Sequence, residues 1–328
     1  MDAASLRTIG RMEGNESDGG SGARSTPDAT WSPPSSDDLA RTSAWVAIDG
    51  YDELELIGRG GHATVWRARQ RSIERTVAIK VLDAPIDDAA SRQRLAVESS
   101  ALAQLSWNSN VVHLYDSGTT DDGRAYLVME HVEGGSLAAT LRNDGPRSPD
   151  EVVRIGISLC DALSAAHELG VLHRDVKPDN VLLDRRGDPK LTDFGIASIV
   201  GSTLADSGAF IGTIRHAAPE LLEGDTPSAA SDVWGIGSTL YAVASGRAPF
   251  SSATPEHDVL AAIMRRTLLD DPPPLPDGVP AALAAVILEC LHKDPAARPS
   301  VADVHERLVA IRAGSPADGS PGDRSPAL

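Results

Sequence analysis

The chain has 328 residues, 41% of them hydrophobic, which is enough for one catalytic unit with a sizeable core. Its net charge of −17 argues against non-specific attraction to nucleic acid or to an anionic membrane surface. The two cysteines, Cys160 and Cys290, lie in apolar, helix-like stretches, so we expect buried free thiols and a reducing compartment. We find no signal peptide and no apolar stretch long enough to span a bilayer, and we expect a cytoplasmic protein.

Both ends of the chain have the composition of disordered segments. Residues 1–50 and 313–328 are rich in Ser, Gly, Asp and Pro and show little aliphatic periodicity. Such segments bury too little apolar surface to offset the entropy lost on ordering. We therefore expect a folded region over residues 51–312, with no internal repeat.

The folded region changes character near Gly134. Before it, the pattern predicts one helix at 91–105 and strands at 54–58, 64–69, 76–82, 111–115 and 125–130. After it, the pattern predicts helices at 150–169, 229–245, 257–268, 281–292 and 301–311. We predict an α+β fold with a small β-rich lobe at 51–133 and a larger helical lobe at 134–312.

A glycine-rich segment lies between the first two predicted strands. It reads Ile57-Gly58-Arg59-Gly60-Gly61-His62-Ala63-Thr64-Val65. Glycine lets backbone N–H groups approach phosphates closely, because no Cβ intervenes. The segment satisfies the phosphate-loop pattern G-x-G-x-x-G-x-V except that Ala63 replaces the third glycine. Taken alone, an ordinary glycine-rich hairpin turn is the alternative.

One lysine lies inside an apolar strand, in the run Val77-Ala78-Ile79-Lys80. A buried ammonium group is costly without a partner. Glu98 shares a predicted helix face with Leu95 and Leu102, which makes it the candidate partner. We predict that a Lys80–Glu98 pair holds the α- and β-phosphates of a nucleotide. A solvated surface charge is the alternative for Glu98.

Two loops of the helical lobe carry candidates for phosphoryl transfer. They are His173-Arg174-Asp175-Val176-Lys177-Pro178-Asp179-Asn180 and Asp193-Phe194-Gly195. Asp175 would accept the proton of an attacking hydroxyl, and Lys177 would offset charge on the transferring group. Asn180 and Asp193 offer hard oxygen ligands to Mg²⁺. For either loop alone, a surface turn with helix-capping side chains is the alternative.

In their order along the chain, these motifs resemble the bacterial eukaryotic-like (Hanks-type) serine/threonine protein kinase family. The resemblance covers residues 51–312 and includes Ala218-Pro219-Glu220, Asp232 and Arg298. It implies the bilobal protein kinase fold and an enzyme that transfers the γ-phosphoryl group of ATP to protein Ser/Thr hydroxyls. Mg²⁺ would be the metal, with Mn²⁺ as the alternative. A pseudokinase that acts as a nucleotide-binding scaffold is the rival reading.

The resemblance also implies how the nucleotide is held. The adenine would lie against Val65, Ala78 and Leu182 and would bond to backbone groups of Glu130 and Val132. Met129 would guard the back of the pocket. The full implied set of nucleotide-binding residues is Ile57, Gly58, Gly60, Gly61, Val65, Ala78, Lys80, Met129, Glu130, Val132 and Leu182.

Other residues are given structural roles by the same resemblance. Asp232 would anchor the backbone of the catalytic loop, and a Glu220–Arg298 ion pair would brace the end of the activation segment. A hydrophobic spine would stack Leu102, Leu114, Phe194 and His173. We expect His167 to be a packed helix residue.

Residues of the loops in the helical lobe indicate the class of substrate and the mode of regulation. Lys177 and Thr213 indicate Ser/Thr specificity. Residues 214–217 depart from the family pattern, so we do not carry the family's preferences for substrate sequence over to this chain. Asp179 would favour a basic residue near the target hydroxyl, or else cap the loop. A phosphate on Ser202, Thr203 or Ser207 would pair with Arg174 and so switch the enzyme on. The expected partners are protein substrates and a second copy of the chain, with no nucleic acid and no membrane segment.

Overall fold

An antiparallel sheet of five strands forms the N-terminal half of the fold. The computed structural model describes residues 48–314 apart from 61–62, 87, 195–213, 253 and 255–257. Strands β1 to β5 cover Tyr51–Arg59, Ala63–Gln70, Arg75–Pro85, Leu114–Thr119 and Arg124–Glu130. Their order across the sheet is β1-β2-β3-β5-β4, and all neighbours run antiparallel. This sheet and the helix packed on it are called the N-lobe below.

The central strand β3 shows why this sequence forms a sheet. Successive side chains of a strand point to opposite faces. Val77, Ile79 and Val81 are fully buried in the apolar cluster on one face, whereas Leu82 belongs to the cluster on the other. Because both faces are covered, the strand is almost continuously apolar, and Lys80 is the one charged residue between Val77 and Leu82.

Helix α1 packs against β4. It covers Ala89–Ala103 and begins at Asp88, whose side chain accepts a hydrogen bond of 2.8 Å from the backbone N–H of Ser91. Ile48, just before the predicted boundary, is 5% exposed and packs in the same cluster as Tyr51. The ordered packing of the N-lobe therefore includes residues before Tyr51.

The second half, called the C-lobe, consists mainly of helices. Helices α2 to α8 cover Leu137–Asp144, Pro149–Glu168, Pro219–Glu223, Ala229–Ser245, Leu260–Leu269, Ala281–Cys290 and Val301–Gly314. A short antiparallel hairpin lies among them, with β6 at Val181–Leu183 and β7 at Pro189–Leu191. The predicted α+β, two-lobed fold class is confirmed.

Helix α5 is the centre of the C-lobe. Every residue from Ser231 to Ala244 is buried, and α5 contacts both α3 and α7. Its glycines allow this close packing, since a Cβ at Gly235 would lie 2.6 Å from the Cβ of Val176. The α5 backbone therefore lies directly beneath the loop that carries Asp175.

The predicted strand at 111–115 is displaced in the structure. Its apolar start does not join the N-lobe sheet: Val111 forms an isolated bridge with Leu191 of β7, and Val112 N–H donates to the Leu191 carbonyl at 2.9 Å. Strand β4 begins only at Leu114. The apolar run thus ties the two lobes together, and the strand pattern alone did not distinguish these partners.

Both cysteines are free and buried within the C-lobe core, as predicted. Burial raises the pKa of the Cys160 thiol and raises that of Cys290 to about 12. Across the described ranges, no helix combines the length and apolar character needed to cross a membrane.

Candidate active site

The register of the N-lobe sheet gathers predicted nucleotide-binding side chains on one face. Lys80 lies opposite Val65 of β2, and Ala78 lies opposite Met129 of β5. Cross-strand partners share a face, as do residues two apart in a strand. Val65, Ala78, Lys80 and Met129 therefore present one surface, and the Lys80 side chain is only 14% exposed.

The residues on either side of positions 61–62 in the glycine-rich segment are held together by backbone contacts. Gly60 N–H donates to the carbonyl of Ala63 at 2.8 Å, and Gly58 pairs with Val65. The pairing slips by one residue between Leu56 and Gly58, which places Ile57 at an irregularity of β1. Gly61, the remaining glycine of the predicted set, lies outside the described residues.

The connection between the lobes brings the rest of the predicted adenine site together. Met129 belongs to a buried apolar cluster against which Val132 and Leu182 pack. Leu182 lies in β6 and forms an isolated bridge with Ser136, so the C-lobe hairpin extends along the connection. The Glu130 N–H donates to the His113 carbonyl at 2.9 Å.

The side chain of Glu130 makes a contact that the sequence analysis missed. Lys190 of β7 lies 3.0 Å from the Glu130 carboxylate, and His113 Nδ1 lies 3.6 Å from it. The pair joins the last residue of β5 to the C-lobe hairpin. No local pattern could have revealed it, because the two residues are distant in sequence.

Asp232 of α5 anchors the catalytic loop, as predicted. Its carboxylate accepts hydrogen bonds from the backbone N–H groups of His173 at 2.9 Å and Arg174 at 2.8 Å. The Asp232 side chain is 1% exposed. His167 was expected only to pack, but its Nε2 lies 2.8 Å from the same carboxylate and so forms part of the anchor. Arg174 has a φ of 71°, a left-handed conformation that these bonds hold in place.

The catalytic loop brings its three predicted side chains together. Lys177 Nζ lies 2.7 Å from Asp175 Oδ2. Asn180 Nδ2 donates to the Asp175 carbonyl at 2.7 Å and to Oδ2 at 3.0 Å. The Asp175 carboxylate is thus oriented from two sides while it remains 33% exposed and accessible to a hydroxyl.

Lys80 forms its ion pair with Asp193, at 2.8 Å from Nζ to Oδ2. Burial would raise the pKa of Asp193, but the charge and hydrogen bond of Lys80 outweigh it and hold the pKa below its ordinary value. Asp193 has a φ of 68°. The partner predicted from the helix face was Glu98; that pairing stays a prediction, while Asp193 is the partner that the structure provides.

His173 joins the catalytic loop to the Asp193 loop. Its ring lies 4.6 Å from that of Phe194 between centroids, and Nε2 lies 2.8 Å from the Thr192 carbonyl. Burial lowers the pKa of His173 and so favours the neutral ring. Since Nδ1 accepts from Asp175 N–H at 3.2 Å, Nε2 carries the proton and donates to Thr192.

The predicted spine is divided between two apolar clusters. Leu102 packs against the C-lobe cluster that contains Phe194, whereas Leu114 packs against the cluster of the N-lobe sheet. The contact between His173 and Phe194 is present. A continuous stack through Leu102 and Leu114 stays a prediction.

The end of the activation segment is braced by the predicted pair of Glu220 and Arg298. Two parallel hydrogen bonds join the guanidinium to the carboxylate at 2.8 and 2.7 Å, and Ser231 Oγ donates to Glu220 Oε1 at 2.8 Å. The Arg298 side chain is fully buried and that of Glu220 is 9% exposed. Burial would raise the pKa of Glu220, but the hydrogen bonds from Arg298 hold it below its ordinary value of 4.5.

A small cavity of about 30 Å³ opens beside Asp175. His216, which belongs to the segment that departs from the family pattern, lines it together with Ala217 and Ala218. His216 Nδ1 lies 2.7 Å from Ser238 Oγ of α5, and burial lowers the pKa of His216 to about 3, so this ring is neutral. The predicted phosphorylation sites Ser202, Thr203 and Ser207, and also Thr213, lie outside the described residues.

The donor set fits a hard divalent cation. The NH₂ group of Asn180 is committed to Asp175, so its oxygen is the atom that this amide can offer to a metal ion. Asp193, with its lowered pKa, offers an ionised carboxylate. An amide oxygen and a carboxylate oxygen are ligands that Mg²⁺ accepts, with nucleotide phosphates and water in the other positions.

Known protein kinases match this chain over most of its length. The family model described as protein kinase domain matches residues 51–308. The chain is 41% identical over 260 residues to serine/threonine-protein kinase PknK of Mycobacterium bovis, which covers 79% of this chain and 23% of that protein. It is 35% identical over 250 residues to the probable serine/threonine-protein kinase CPE1738 of Clostridium perfringens (76% and 36%).

A further relative is serine/threonine-protein kinase PknB of Mycobacterium leprae, 32% identical over 278 residues, 82% of this chain and 44% of that protein. The chain thus spans less than half the length of each of these curated relatives. The family match, covering residues 51–308, coincides with both lobes and with every motif described above. The chain therefore belongs to the protein kinase family.

Proposed function

We propose that this chain is a serine/threonine protein kinase that transfers the γ-phosphoryl group of ATP to hydroxyl groups of proteins. The observation that carries the proposal is the arrangement around Asp175, whose accessible carboxylate is held by Lys177 and Asn180. Such a carboxylate can orient a substrate hydroxyl and accept its proton, while Lys177 offsets negative charge on the transferring group.

The nucleotide would bind between the N-lobe face and the catalytic loop. Lys80, paired with Asp193 in this structure, would exchange that contact for the α- and β-phosphates, with Glu98 as its predicted partner. The adenine would lie on the apolar surface of Val65 and Ala78. Asn180 and Asp193 would hold Mg²⁺, or Mn²⁺ as the alternative, and the bound cation would neutralise phosphate charge.

The type of acceptor residue and the cellular compartment are inferred from the family resemblance and from the cysteines. Lys177, together with the named activity of the relatives, supports Ser/Thr rather than Tyr as the acceptor. The two free, buried thiols support a reducing compartment, and the proposal places the enzyme in the cytoplasm. A second copy of the chain is the proposed substrate for autophosphorylation.

Activation by phosphorylation is proposed through Arg174, which lines the cavity beside Asp175. A phosphate on Ser202, Thr203 or Ser207 would pair with this guanidinium and order the segment that carries it. A triple variant with all three hydroxyl residues replaced by Ala should lose most activity. Full activity of that variant would contradict the switch.

The test of the main proposal is phosphoryl transfer by the purified full chain with Mg²⁺ and labelled ATP. We expect label on Ser or Thr of the chain and of a general protein substrate. Asp175→Asn should lower the rate by about 10²–10⁴-fold, the range for loss of a positioned acid–base group. Asp193→Asn should also lose activity.

Asp188→Asn is the matched control, because Asp188 lies in the β6–β7 turn, is 57% exposed and pairs with Arg154 away from the site. This variant should keep the wild-type rate. Nucleotide binding in the wild type without any transfer would favour the pseudokinase instead. Equal transfer by the wild type and Asp175→Asn would overturn the assigned role of Asp175.

A further inference from the structure

Arg215 belongs to the segment that departs from the family pattern and directly precedes His216, which lines the cavity beside Asp175. Its side chain is 37% exposed. A protein segment that delivers its hydroxyl to Asp175 must pass close to this stretch, because Ala217 and Ala218 line the same cavity. The charge of Arg215 therefore bears on which substrates fit.

The positive charge of Arg215 is only partly neutralised within the protein. Its Nη2 lies 3.5 Å from Asp258 Oδ2, whereas Arg266 Nη2 lies 2.6 Å from Oδ1 of the same carboxylate. Asp258 also accepts the backbone N–H of Ser252 at 2.7 Å. Two guanidinium groups thus share one carboxylate, and Arg266 has the shorter contact. The group of two guanidiniums and one carboxylate therefore carries a net positive charge, to which Arg215 contributes.

The hydrogen-bonding capacity of Arg215 is also incomplete. Its Nε is shielded from solvent and, within the part of the chain that the structure describes, has no hydrogen-bond partner. Arg266, by comparison, donates its Nε to the Phe250 carbonyl at 2.7 Å. The part of the Arg215 side chain that is exposed to solvent can still donate to a carboxylate of a bound peptide, because a guanidinium carries five N–H donors.

We propose that Arg215 selects protein substrates that carry an Asp or Glu close to the target Ser or Thr. Asp258 acts as the positioning residue, since it fixes the guanidinium without neutralising it. The inference rests on the proposed kinase function, and it names the substrate class of that same site. It is independent of Asp179, the exposed carboxylate of the catalytic loop that would favour a basic residue at another position.

The overall negative charge of the chain limits how a preference for acidic substrates can arise. With a net charge of −17, the protein repels acidic substrates at long range. A preference for acidic residues must therefore come from a short-range contact, and it should be confined to one neighbouring position of the peptide. Because salt screens long-range repulsion more than a close ion pair, added salt should make the preference easier to detect.

The experiment uses the full chain and synthetic peptides with one Ser among neutral residues, in which Asp or Lys replaces each neighbouring residue in turn. We measure kcat/KM for phosphorylation and, separately, peptide binding in the presence of a non-hydrolysable ATP analogue. At one position Asp should exceed Lys by about tenfold in kcat/KM, a typical effect of a charge-assisted hydrogen bond. Arg215→Gln should remove this preference, and Arg215→Glu should reverse it in favour of Lys.

Arg265→Glu is the matched control, since Arg265 is an exposed arginine of α6 that pairs at 3.7 Å with Asp270. It makes the same change in net charge and should keep the preference for Asp. A gain of Lys-peptide phosphorylation by Arg215→Glu also shows that this variant folds. If it is inactive, Arg215→Gln and the binding assay decide the question.

The outcomes separate this inference from the proposed function. Phosphorylation without any preference for acidic residues, or with a preference that survives in Arg215→Gln, would overturn the role of Arg215 alone. Arg215-dependent binding of acidic peptides without phosphoryl transfer would overturn the kinase proposal and support the charge selection. Absence of both transfer and acid-selective binding would overturn both.

Discussion

One ion pair from each lobe shows how burial changes what the same charged groups contribute to stability. In the C-lobe, Arg298 and Glu220 are joined by two hydrogen bonds with side chains that are 0% and 9% exposed. On the N-lobe sheet, Arg67 and Glu55 pair across β1 and β2 with side chains that are 49% and 58% exposed. Both pairs join an arginine to a glutamate, but they differ in exposure to solvent. This exposure decides how much each pair contributes to the stability of the fold.

The exposed pairs add little to the stability of the sheet. Arg69 contacts both Glu53 and Glu74, and each of these carboxylates is well hydrated. Surface pairs are typically worth between 0 and about 1 kcal/mol, because water and salt screen them. The N-lobe therefore depends on its backbone ladders and two apolar clusters, whereas the substrate side of the C-lobe depends on buried charges that must stay paired.

The most severe test of this difference is Arg298→Met. The change leaves the carboxylate of Glu220 buried and without its partner, and it removes the contact of the guanidinium with the Trp234 ring at 5.0 Å. We expect a loss of about 3–5 kcal/mol in the free energy of unfolding, measured by urea denaturation. The double variant Glu220→Leu/Arg298→Met should lose less, and a larger loss in the double variant would contradict the explanation.

A second test concerns the anchor of the catalytic loop. Asp232→Asn replaces one acceptor oxygen by an NH₂ group that faces a buried backbone N–H. We expect a loss of about 2–4 kcal/mol in the free energy of unfolding, and a fall in kcat with little change in nucleotide affinity.

The control for this test is Asp161→Asn. Asp161 also pairs with a histidine, His305, at 3.1 Å, but its side chain is 47% exposed. It should change stability by less than about 1 kcal/mol. Equal losses at Asp161 and Asp232 would show that burial does not explain the difference.

Acidification offers a third test, through the lowered pKa of Glu220. Because the folded-state pKa lies below the ordinary value of 4.5, the charged carboxylate stabilises the fold above that pH. This contribution is lost as the pH falls through the folded-state pKa. The stability difference between the wild type and Glu220→Gln should therefore shrink on acidification from neutral pH. A difference that does not depend on pH would contradict the assignment.

The smallest effect is expected for Arg67→Met. The arginine contacts Glu55 of the neighbouring strand β1, and both side chains are exposed enough to be hydrated when the pair is broken. The free energy of unfolding should change by less than about 1 kcal/mol and should show less dependence on salt than in the wild type. A loss of unfolding free energy as large as that of Arg298→Met would show that the buried and the exposed pair do not differ in their contribution to stability.

Contacts between residues of motifs could be predicted from the sequence, and contacts of polar residues outside the motifs could not. The anchor at Asp232 and the pair of Glu220 and Arg298 were expected and are present. Glu130–Lys190 and the Asp258 carboxylate shared by Arg215 and Arg266 were missed, because no motif connects these residues. For Lys80 the helix face indicated Glu98, while the partner in the structure comes from a loop that has no periodic pattern.

For the fold, too, some elements could be predicted from the sequence and others could not. Long periodic segments were predicted well: α5 was expected at 229–245 and covers those residues. Strands β6 and β7 have three residues each, too few for an alternating pattern to be recognised. They form because each contributes apolar residues to the core and because they pair with each other and with the connection between the lobes.

The two buried thiols have a practical consequence for spectroscopy. Cys160 and Cys290 are the only cysteines of the chain, and their raised pKa values keep the reactive thiolate scarce at neutral pH. A cysteine introduced at an exposed site should therefore take up a maleimide dye or spin label selectively in the natural background. Pairs of such labels, one in each lobe, would report the distance between the lobes as nucleotide binds, without removal of either native cysteine.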